Sequence, residues 1–438
     1  MATAAAPQTH FDVLVAGAGA SGLIAAIALA RAGHSVALVG KTPGPLPGRT
    51  VALFEGSLRH LDDLGLREPL EEISAIVKGI RIIDDTSSIF RPPPALFTSD
   101  EIGLDAFGLN VPNDDIVDML SKVVADMRDI VRFEAFVTGY DFRDDGVTAR
   151  LDDGREIECA VVVAGDGRNS PARKAAGIEI KEWSYPQTAV TGILRHRRPH
   201  DDITTEFHTR FGPFTFVPMP STAEAPRRSS LVWLMPPDEA KRRLALAPRE
   251  LAAEIEDQSH YRYGAIEIEG ALGAFPMAGM RTLKVSGPRL MLVGEACHVF
   301  PPLGAQGLNL GIRDSSDAAL ALDGVDLKDP KAIEAAVAEY EKSRRADIDI
   351  RTRGIDILNR TLLADFLPVD FLRGVGLAAV TAIGPLRRAI LREGVEPTLA
   401  RALANFAPGP RGIGKPLSRR CVALRRPSAA PAGCAACR

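Results

Sequence analysis

The sequence predicts an α/β fold: a Rossmann-like parallel sheet, an inserted and mostly antiparallel β-sheet domain, and C-terminal helices. Two observations carry this expectation. The chain opens with a β-α-β pattern: an apolar run, Phe11 to Ala16, then Gly17-Ala18-Gly19-Ala20-Ser21-Gly22, an apolar helix from Leu23 to Arg31, and a second apolar run, Val36 to Val39. Short uninterrupted apolar runs of this kind are typical of strands buried on both faces of a parallel sheet. Two later runs, Cys159–Ala164 and Leu290–Val293, have the same character and also end in glycine. Between them, residues 181–285 change to strand-like segments interrupted by prolines.

The remaining elements follow in order. Leu53, Leu58, Leu61 and Leu64 recur at helical spacing before Gly65 and predict an amphipathic helix. Asn113, followed by Asp114 and Asp115, is placed to N-cap a helix reaching about Met127. Residues 131–164 alternate as strands, with hairpin turns at Asp144-Asp145-Gly146 and Asp152-Asp153-Gly154. In the inserted region, strands are expected over 189–196, 211–219, 230–235 and 274–285, with one acidic helix near 249–260. Long helices are expected over 304–322 and 332–363.

At 438 residues the chain can hold two or three domains, and 46% hydrophobic with 25% charged residues is an ordinary globular composition. Five unevenly placed cysteines make no disulfide framework, so a reducing, cytoplasmic setting is expected. No basic n-region precedes the first strand, and no run reaches the roughly 18 apolar residues of a spanning helix. The net charge of −3 is uneven: from Pro408 onward there are seven Lys/Arg and no acid, leaving −10 on the remainder. That Pro/Gly/Ala/Ser-rich tail is expected to be disordered, solubilising or held against anionic lipid. Cys434-Ala435-Ala436-Cys437 has no second cysteine pair, so no metal site is expected. The body shows no basic stripe with interleaved aromatics, which argues against nucleic acid.

Three motifs carry chemistry. In the first, Gly17, Gly19 and Gly22 permit a tight turn and close backbone approach to a pyrophosphate, while Ala20 and Ser21 open a helix whose N-terminus attracts phosphate. A carboxylate usually ends the second strand and binds ribose, yet Gly40-Lys41 stands there, and a cation could instead meet a 2′-phosphate. The second motif, Ala164 to Arg173, places Asp166 directly after a strand. The third, Gly294 to Gly311, delivers Glu295, His298, Pro301 and Pro302. A helix start follows at Gly304, Ala305, Gln306, Gly307, Leu308 and Asn309, whose unpaired N–H groups would stabilise an anion.

Together the three resemble the flavoprotein monooxygenases of the p-hydroxybenzoate hydroxylase fold, most closely the ubiquinone-biosynthesis hydroxylases of the UbiH/UbiF/Coq6 group. The family's A-D-G-x-x-S-x-x-R pattern matches 165–173, and its G-D-A-A-H-x-x-P-P-x-x-G-Q-G-L-N-x-G matches 294–311. The resemblance implies FAD held by Gly17, Gly19, Ala20, Ser21, Gly22, Asp166, Gly294, Glu295, Pro302 and Gly304 to Asn309, with Arg49 and Asn113 near the flavin. It implies a substrate wall from Phe214, Phe216, Val217 and Pro218, with Pro301 and Pro302 also lining the pocket, and His298 as a residue that either positions a proton or, the favoured reading, makes a structural hydrogen bond to backbone.

FAD reduced by NAD(P)H would react with O2 and pass one oxygen to a phenol ring, with no catalytic triad required. A lipophilic, polyprenylated phenol is the expected substrate. Peripheral contact with the inner face of the membrane and association with other quinone-biosynthesis proteins are further expectations. The apolar stretch 366–386 suits a helix lying on a membrane surface or packing on the FAD domain.

The family pattern divides the chain into FAD-binding segments at 10–75, 105–180 and 286–330. Substrate-domain segments are expected at 76–104 and 181–285, a helical region at 331–407 and the tail at 408–438. Alternatives are hydroxylation of a soluble aromatic, halogenation, reduction of a lipid double bond, or a non-catalytic FAD-binding scaffold. The halogenase signature W-x-W-x-I-P is missing around Trp183 and Trp233. Gly40, Glu295 and Cys297 depart from the family's usual Glu, Asp and Ala. Without the acid at 40, the ribose is expected to rest on backbone groups or Lys41, and Gly40→Glu to leave FAD affinity unchanged or tighter. Cys297 is expected to be a small buried residue, the alternative being a reactive thiol.

Overall fold

The computed structural model describes residues 9–45, 48–86, 93–302, 304–363 and 383–396. The first sheet is built from β1 (His10–Ala16), β2 (Val36–Val39), β8 (Ile130–Phe133), β11 (Glu156–Ala164), β17 (Ser286–Gly287) and β18 (Leu290–Leu292). Its order is β17-β18-β11-β1-β2-β8, and the hairpin β9 (Val137–Phe142) and β10 (Val147–Leu151) continues from β11. The central strands β18, β11, β1, β2 and β8 run parallel. Helix α1 (Ala20–Arg31) is buried along nearly its whole length. Its apolar character all round follows from its neighbours: the sheet, α4 (Asn113–Asp126) and α8 (Gln306–Leu322) cover it from different sides.

A three-stranded sheet of β3 (Thr50–Phe54), β4 (Ala75–Val77) and β7 (Gly108–Pro112) lies beside α2 (Glu55–Asp63) and α3 (Arg67–Glu72). Leu53 therefore belongs to a strand, not to the helix its spacing suggests; the helical leucine pattern is real only from Leu58 onward. Asn113 is the first residue of α4 rather than its cap, with Pro112 in the capping position.

The second sheet contains β5 (Gly79–Asp85), β6 (Ala95–Thr98), β12 (Ile180–His196), β13 (Ile203–Thr209), β14 (Gly212–Pro218), β15 (Arg228–Met235), β16 (Ile266–Thr282) and β19 (His298–Val299). Its order is β19-β16-β12-β15-β14-β13-β5-β6, antiparallel except for the β13–β5 pair. Segments 79–85 and 95–98 thus join the sheet formed by the region after 180. The short α5 (Pro171–Ala175) follows β11, and α6 (Pro237–Leu244) and α7 (Pro248–Gln258) link β15 to β16. Two long-range contacts stitch the second sheet to the rest: Thr50 donates to Ser230 Oγ at 2.8 Å, and the Asn110 amide donates to the Pro218 carbonyl at 2.8 Å.

Helix α9 (Pro330–Leu363) packs on α8, and α10 (Gly384–Val395) docks near β6. The apolar stretch from 366 lies, up to residue 382, outside the described residues, as do the whole basic tail and its three cysteines. Cys159 and Cys297 are free and buried. Burial pushes the Cys159 thiol up to about 12 and the Cys297 thiol higher still.

Candidate cofactor and substrate site

The parallel register gathers the three motifs on one sheet edge. Ala16 pairs with Val39 and with Ala164, and Ala164 pairs with Leu292. The strands therefore end level, and Gly17, Gly40, Gly165 and Gly294 follow at the carboxyl edge, where open α/β sheets bind ligands. Backbone bonds lock that edge: Gly17 N donates to Val39 (2.7 Å), Gly165 N to Ala16 (2.8 Å) and Val293 N to Ala164 (2.9 Å).

Close approach explains the first motif. Gly17 has φ +106°, and a Cβ there would lie 2.2 Å from the Gly165 carbonyl oxygen, so no other residue fits between the first two motifs. A Cβ on Gly22 would meet Gly17 O at 1.9 Å. Gly19, by contrast, caps α1 with open space where its Cβ would be, and a Cβ at Gly304 or Gly307, near the start of α8, would likewise meet nothing. Two helix N-termini, with their unsatisfied N–H groups, thus flank an open, side-chain-free edge.

In the second motif Ser170 caps α5 by accepting from Arg173 N (3.0 Å), and Asp166 Oδ2 accepts from Ala172 N (3.1 Å). Asp166 Oδ1 is buried without a partner, and burial raises this carboxyl above its ordinary range. Arg173 is buried and donates to the Ala296 carbonyl (2.8 Å) and the Arg168 carbonyl (2.7 Å), tying the second motif to the third.

In the third motif Gly294 to Ala296 form a single 3-10 turn that leaves Glu295 exposed. Pro301 is buried and Pro302 exposed; Ala305 caps α8 in the left-handed region at φ +50°. Arg49 is exposed at the turn before β3, its guanidinium 5.0 Å over the Phe275 ring, and its carbonyl accepts from Asn113 N at 3.0 Å. Ser21 stands under Gly294 and Gly311, where a Cβ on either would meet its hydroxyl within 2.7 Å.

Several expectations are corrected. His298 is 1% exposed, its Nε2 2.7 Å from Asp314 Oδ2 and its ring stacked on Phe300, so its hydrogen bond is a buried one to a carboxylate. The Asn309 side chain serves β3 instead of the edge, donating to Ala52 O (2.7 Å) and accepting from Phe54 N (2.9 Å). Gln306 Oε1 is held by Arg351 at 2.6 Å. Lys41 pairs with Asp152 (3.1 Å) and lies over Phe136.

Phe214 and Phe216 face away from the motifs. They are fully buried with Trp233, Leu231 and Ile255 in the core under α7, because period-two alternation sends them to the helix-covered face. Cross-strand partners agree: Phe214 pairs with Trp233 and Phe216 with Leu231, whereas Thr215 pairs with Val232 and Val217 with Ser230. The face toward the motifs is that of Val217, whose partner Ser230 bonds Thr50. Near the proline loop, Phe300 packs on Tyr185, Leu234 and Met277 beside Phe275 and Val232. Those apolar residues escaped sequence reading because strand patterning shows alternation without saying which face is which.

Asp314 was also missed. It accepts from Gly294 N (3.0 Å), His298 Nε2 and Arg344 Nε (2.8 Å). Burial alone would raise its carboxyl, but the charges of His298 and Arg344 outweigh this and hold it low. One buried carboxylate thus fixes the third motif's backbone against α9. A charged residue inside the apolar stripe of α8 was the available signal.

The open glycine edge, two facing helix starts and an unpartnered buried Asp166 oxygen fit a dinucleotide cofactor. The fold and this edge define a dinucleotide-binding α/β protein with an attached, mostly antiparallel sheet. Residues 10–348 match the FAD binding domain family. The chain is 33% identical to ubiquinone hydroxylase UbiL of Rhodospirillum rubrum, covering 87% of this chain and 89% of that protein. It is 26% identical to 3-demethoxyubiquinol 3-hydroxylase of Escherichia coli, covering 87% and 97%. In fold it is similar to p-nitrophenol 4-monooxygenase PnpA of Pseudomonas putida, with TM-score 0.71 and 17% identity over 89% of this chain and 99% of that one. The chain belongs to the FAD-dependent hydroxylases of ubiquinone biosynthesis. It is an aromatic-ring monooxygenase that uses FAD, and NAD(P)H is the family's usual reductant.

Proposed function

We propose that the chain hydroxylates a polyprenylated phenol or quinol intermediate, and that its FAD lies along the Gly17–Gly165–Gly294 edge. The observation that carries the reading is the level ending of β1, β11 and β18, which brings the three motifs to one sheet edge, with Phe300 of the third packed on an apolar cluster that includes Phe275. Bound FAD supplies the oxygen-transfer chemistry. The protein's part is to bind, orient and exclude water. The start of α8 presents main-chain N–H groups toward negative charge. Asp314 and Arg173 both fix the turn at Gly294–Ala296 that leads toward that start, and Phe300 packs against the second sheet.

A lipophilic substrate calls for access from a membrane. No helix among the described residues is long and apolar enough to cross one. Helix α10 suits a peripheral contact instead: Ile383, Leu386 and Ile390 are 40–50% exposed on its outer side, with Arg388 and Arg392 beside them. Its inner side is anchored through Arg387, which pairs with Glu101 and lies 4.4 Å over Phe97. Association with other quinone-biosynthesis proteins accords with such a location.

Deleting the gene and identifying the accumulating quinone intermediate tests the substrate; a normal quinone profile would overturn it. Purified protein that takes up no FAD would overturn the cofactor assignment. Flotation with anionic liposomes tests α10: protein that stays at the bottom removes the membrane contact.

A further inference from the structure

We infer a second binding site, for a phosphate group, on the α7-covered side of the second sheet. A cavity of about 420 Å³ opens there, floored by Ile83 and Phe207 and rimmed by Arg198, Arg262, His260 and Asp201. Arg81, on the strand that carries Ile83, is half-buried beside it.

The arginines at this place have no ion-pair partner among the described residues, although Asp201 lines the cavity and His260 pairs with Asp85 at 3.2 Å. Arg81 donates to Thr205 Oγ1 (3.2 Å) and Arg198 to the Tyr261 carbonyl (3.0 Å). Burial and then the charge of Arg262 push the Arg81 guanidinium below its ordinary value, with Tyr263 and Asp201 acting the other way without restoring it. Arg242, also on the surface, is by contrast paired with Glu254 (2.7 Å) and Glu239 (3.1 Å).

A second observation points into the same place. Tyr263, next in the chain to the lining residue Arg262, is 1% exposed, and its hydroxyl, near Thr205 and within the field of Arg262 and Arg81, has no hydrogen-bond partner of normal geometry. A buried hydroxyl without a partner is unfavourable unless a ligand or water completes it. The two loops that bring these groups together hold Asp201, Asp202, His260 and Tyr261 in the left-handed region, at φ +51° to +57°, which non-glycine residues seldom adopt.

Two guanidiniums, Arg198 and Arg262, line the cavity and Arg81 adds a third positive charge nearby, more than a carboxylate uses, since one arginine satisfies its two oxygens. A phosphate, with more oxygens and up to two charges, fits the set. The site is distinct from the flavin edge because Ile83 and Phe207 share the sheet face of Phe214 and Phe216, opposite Val217 and Ser230. A hydride donor bound here would be on the wrong side of the sheet.

The FAD-loaded enzyme is titrated with inorganic phosphate by calorimetry, and floated with phosphatidic acid or phosphatidylcholine vesicles. Saturable binding is expected, at least tenfold weaker in Arg262→Gln and in Arg81→Gln, and unchanged in Arg242→Gln. Binding of free phosphate identifies a soluble ligand; binding only to phosphatidic acid vesicles, lost in Arg262→Gln, identifies a lipid headgroup. Retained FAD content shows that each variant is folded, and if Arg81→Gln fails that check, the exposed Arg262→Gln decides. No saturable binding in either arm, or binding that survives Arg262→Gln, overturns the site.

Discussion

His298 Nε2 donates to Asp314 Oδ2 across 2.7 Å in the interior, and the same carboxylate holds Gly294 N and Arg344 Nε. Asp314 therefore couples the turn after β18, the histidine of the third motif and helix α9. Replacing it with alanine leaves the buried Gly294 N and His298 Nε2 without their acceptor and removes one of the three carboxylates around Arg344, which keeps Asp317 (3.2 Å) and Asp347 (3.1 Å). Breaking a buried pair costs about 3–5 kcal/mol, and the retained partners put this change toward the lower end. Asp314→Ala should unfold at markedly lower denaturant than the native chain in the FAD-loaded state. His298→Gln, which can still donate, should lose less, and its ratio of hydroxylation to reductant consumption should stay near native. Uncoupled turnover in His298→Gln would return that residue to the chemistry.

The same network gives a pH dependence. Burial would raise the Asp314 and Asp347 carboxyls, but Arg344, with His298 for the one and Arg313 for the other, holds both below their ordinary range. A carboxyl lowered in the folded state adds stability that is complete above its unfolded pKa of about 3.9 and is lost as pH falls through the folded value. Urea midpoints of the native chain should thus hold near neutrality and fall steeply below about pH 4. Asp347→Asn should be less stable at pH 7 and decline less on acidification. Parallel declines in the two proteins would remove Asp347 from the account.

Gly40 reverses an expectation. A Cβ at this position would lie 2.5 Å from Ala18 N and 3.0 Å from Gly17 C, so the first motif occupies the space that a ribose-binding side chain would start from. Gly40→Glu and Gly40→Ala should both weaken FAD binding, by tenfold or more, as read by quenching of flavin fluorescence. Unchanged affinity in Gly40→Glu would mean that the turn relaxes without loss.

Much of this was legible in the sequence, and what was not has physical causes. Glycine spacing after apolar runs located all three motifs, because close backbone approach leaves few alternatives to glycine. Leu53 was misassigned since a leucine ending one strand mimicked the next helix's period. The partners of His298 and Lys41 were illegible: Asp314 and Asp152 are 16 and 111 residues away, and tertiary packing alone brings them into contact.

The two faces of β14 should separate in mutagenesis. Phe216 is fully buried, stacked on Tyr263 at 4.4 Å and edge-on to Phe214 at 5.2 Å, under α7. Phe216→Ala should cost about 3–5 kcal/mol of stability, as large-to-small core changes do, while leaving KM of the surviving folded protein near native. Val217 is its neighbour on the opposite face, partnered by the Ser230 that bonds Thr50. Val217→Phe should alter stability little and raise KM several-fold by filling space on the motif side. Steady-state kinetics beside thermal melts distinguish the two positions: a KM effect at Phe216 with none at Val217 would invert the assignment of the sheet's faces.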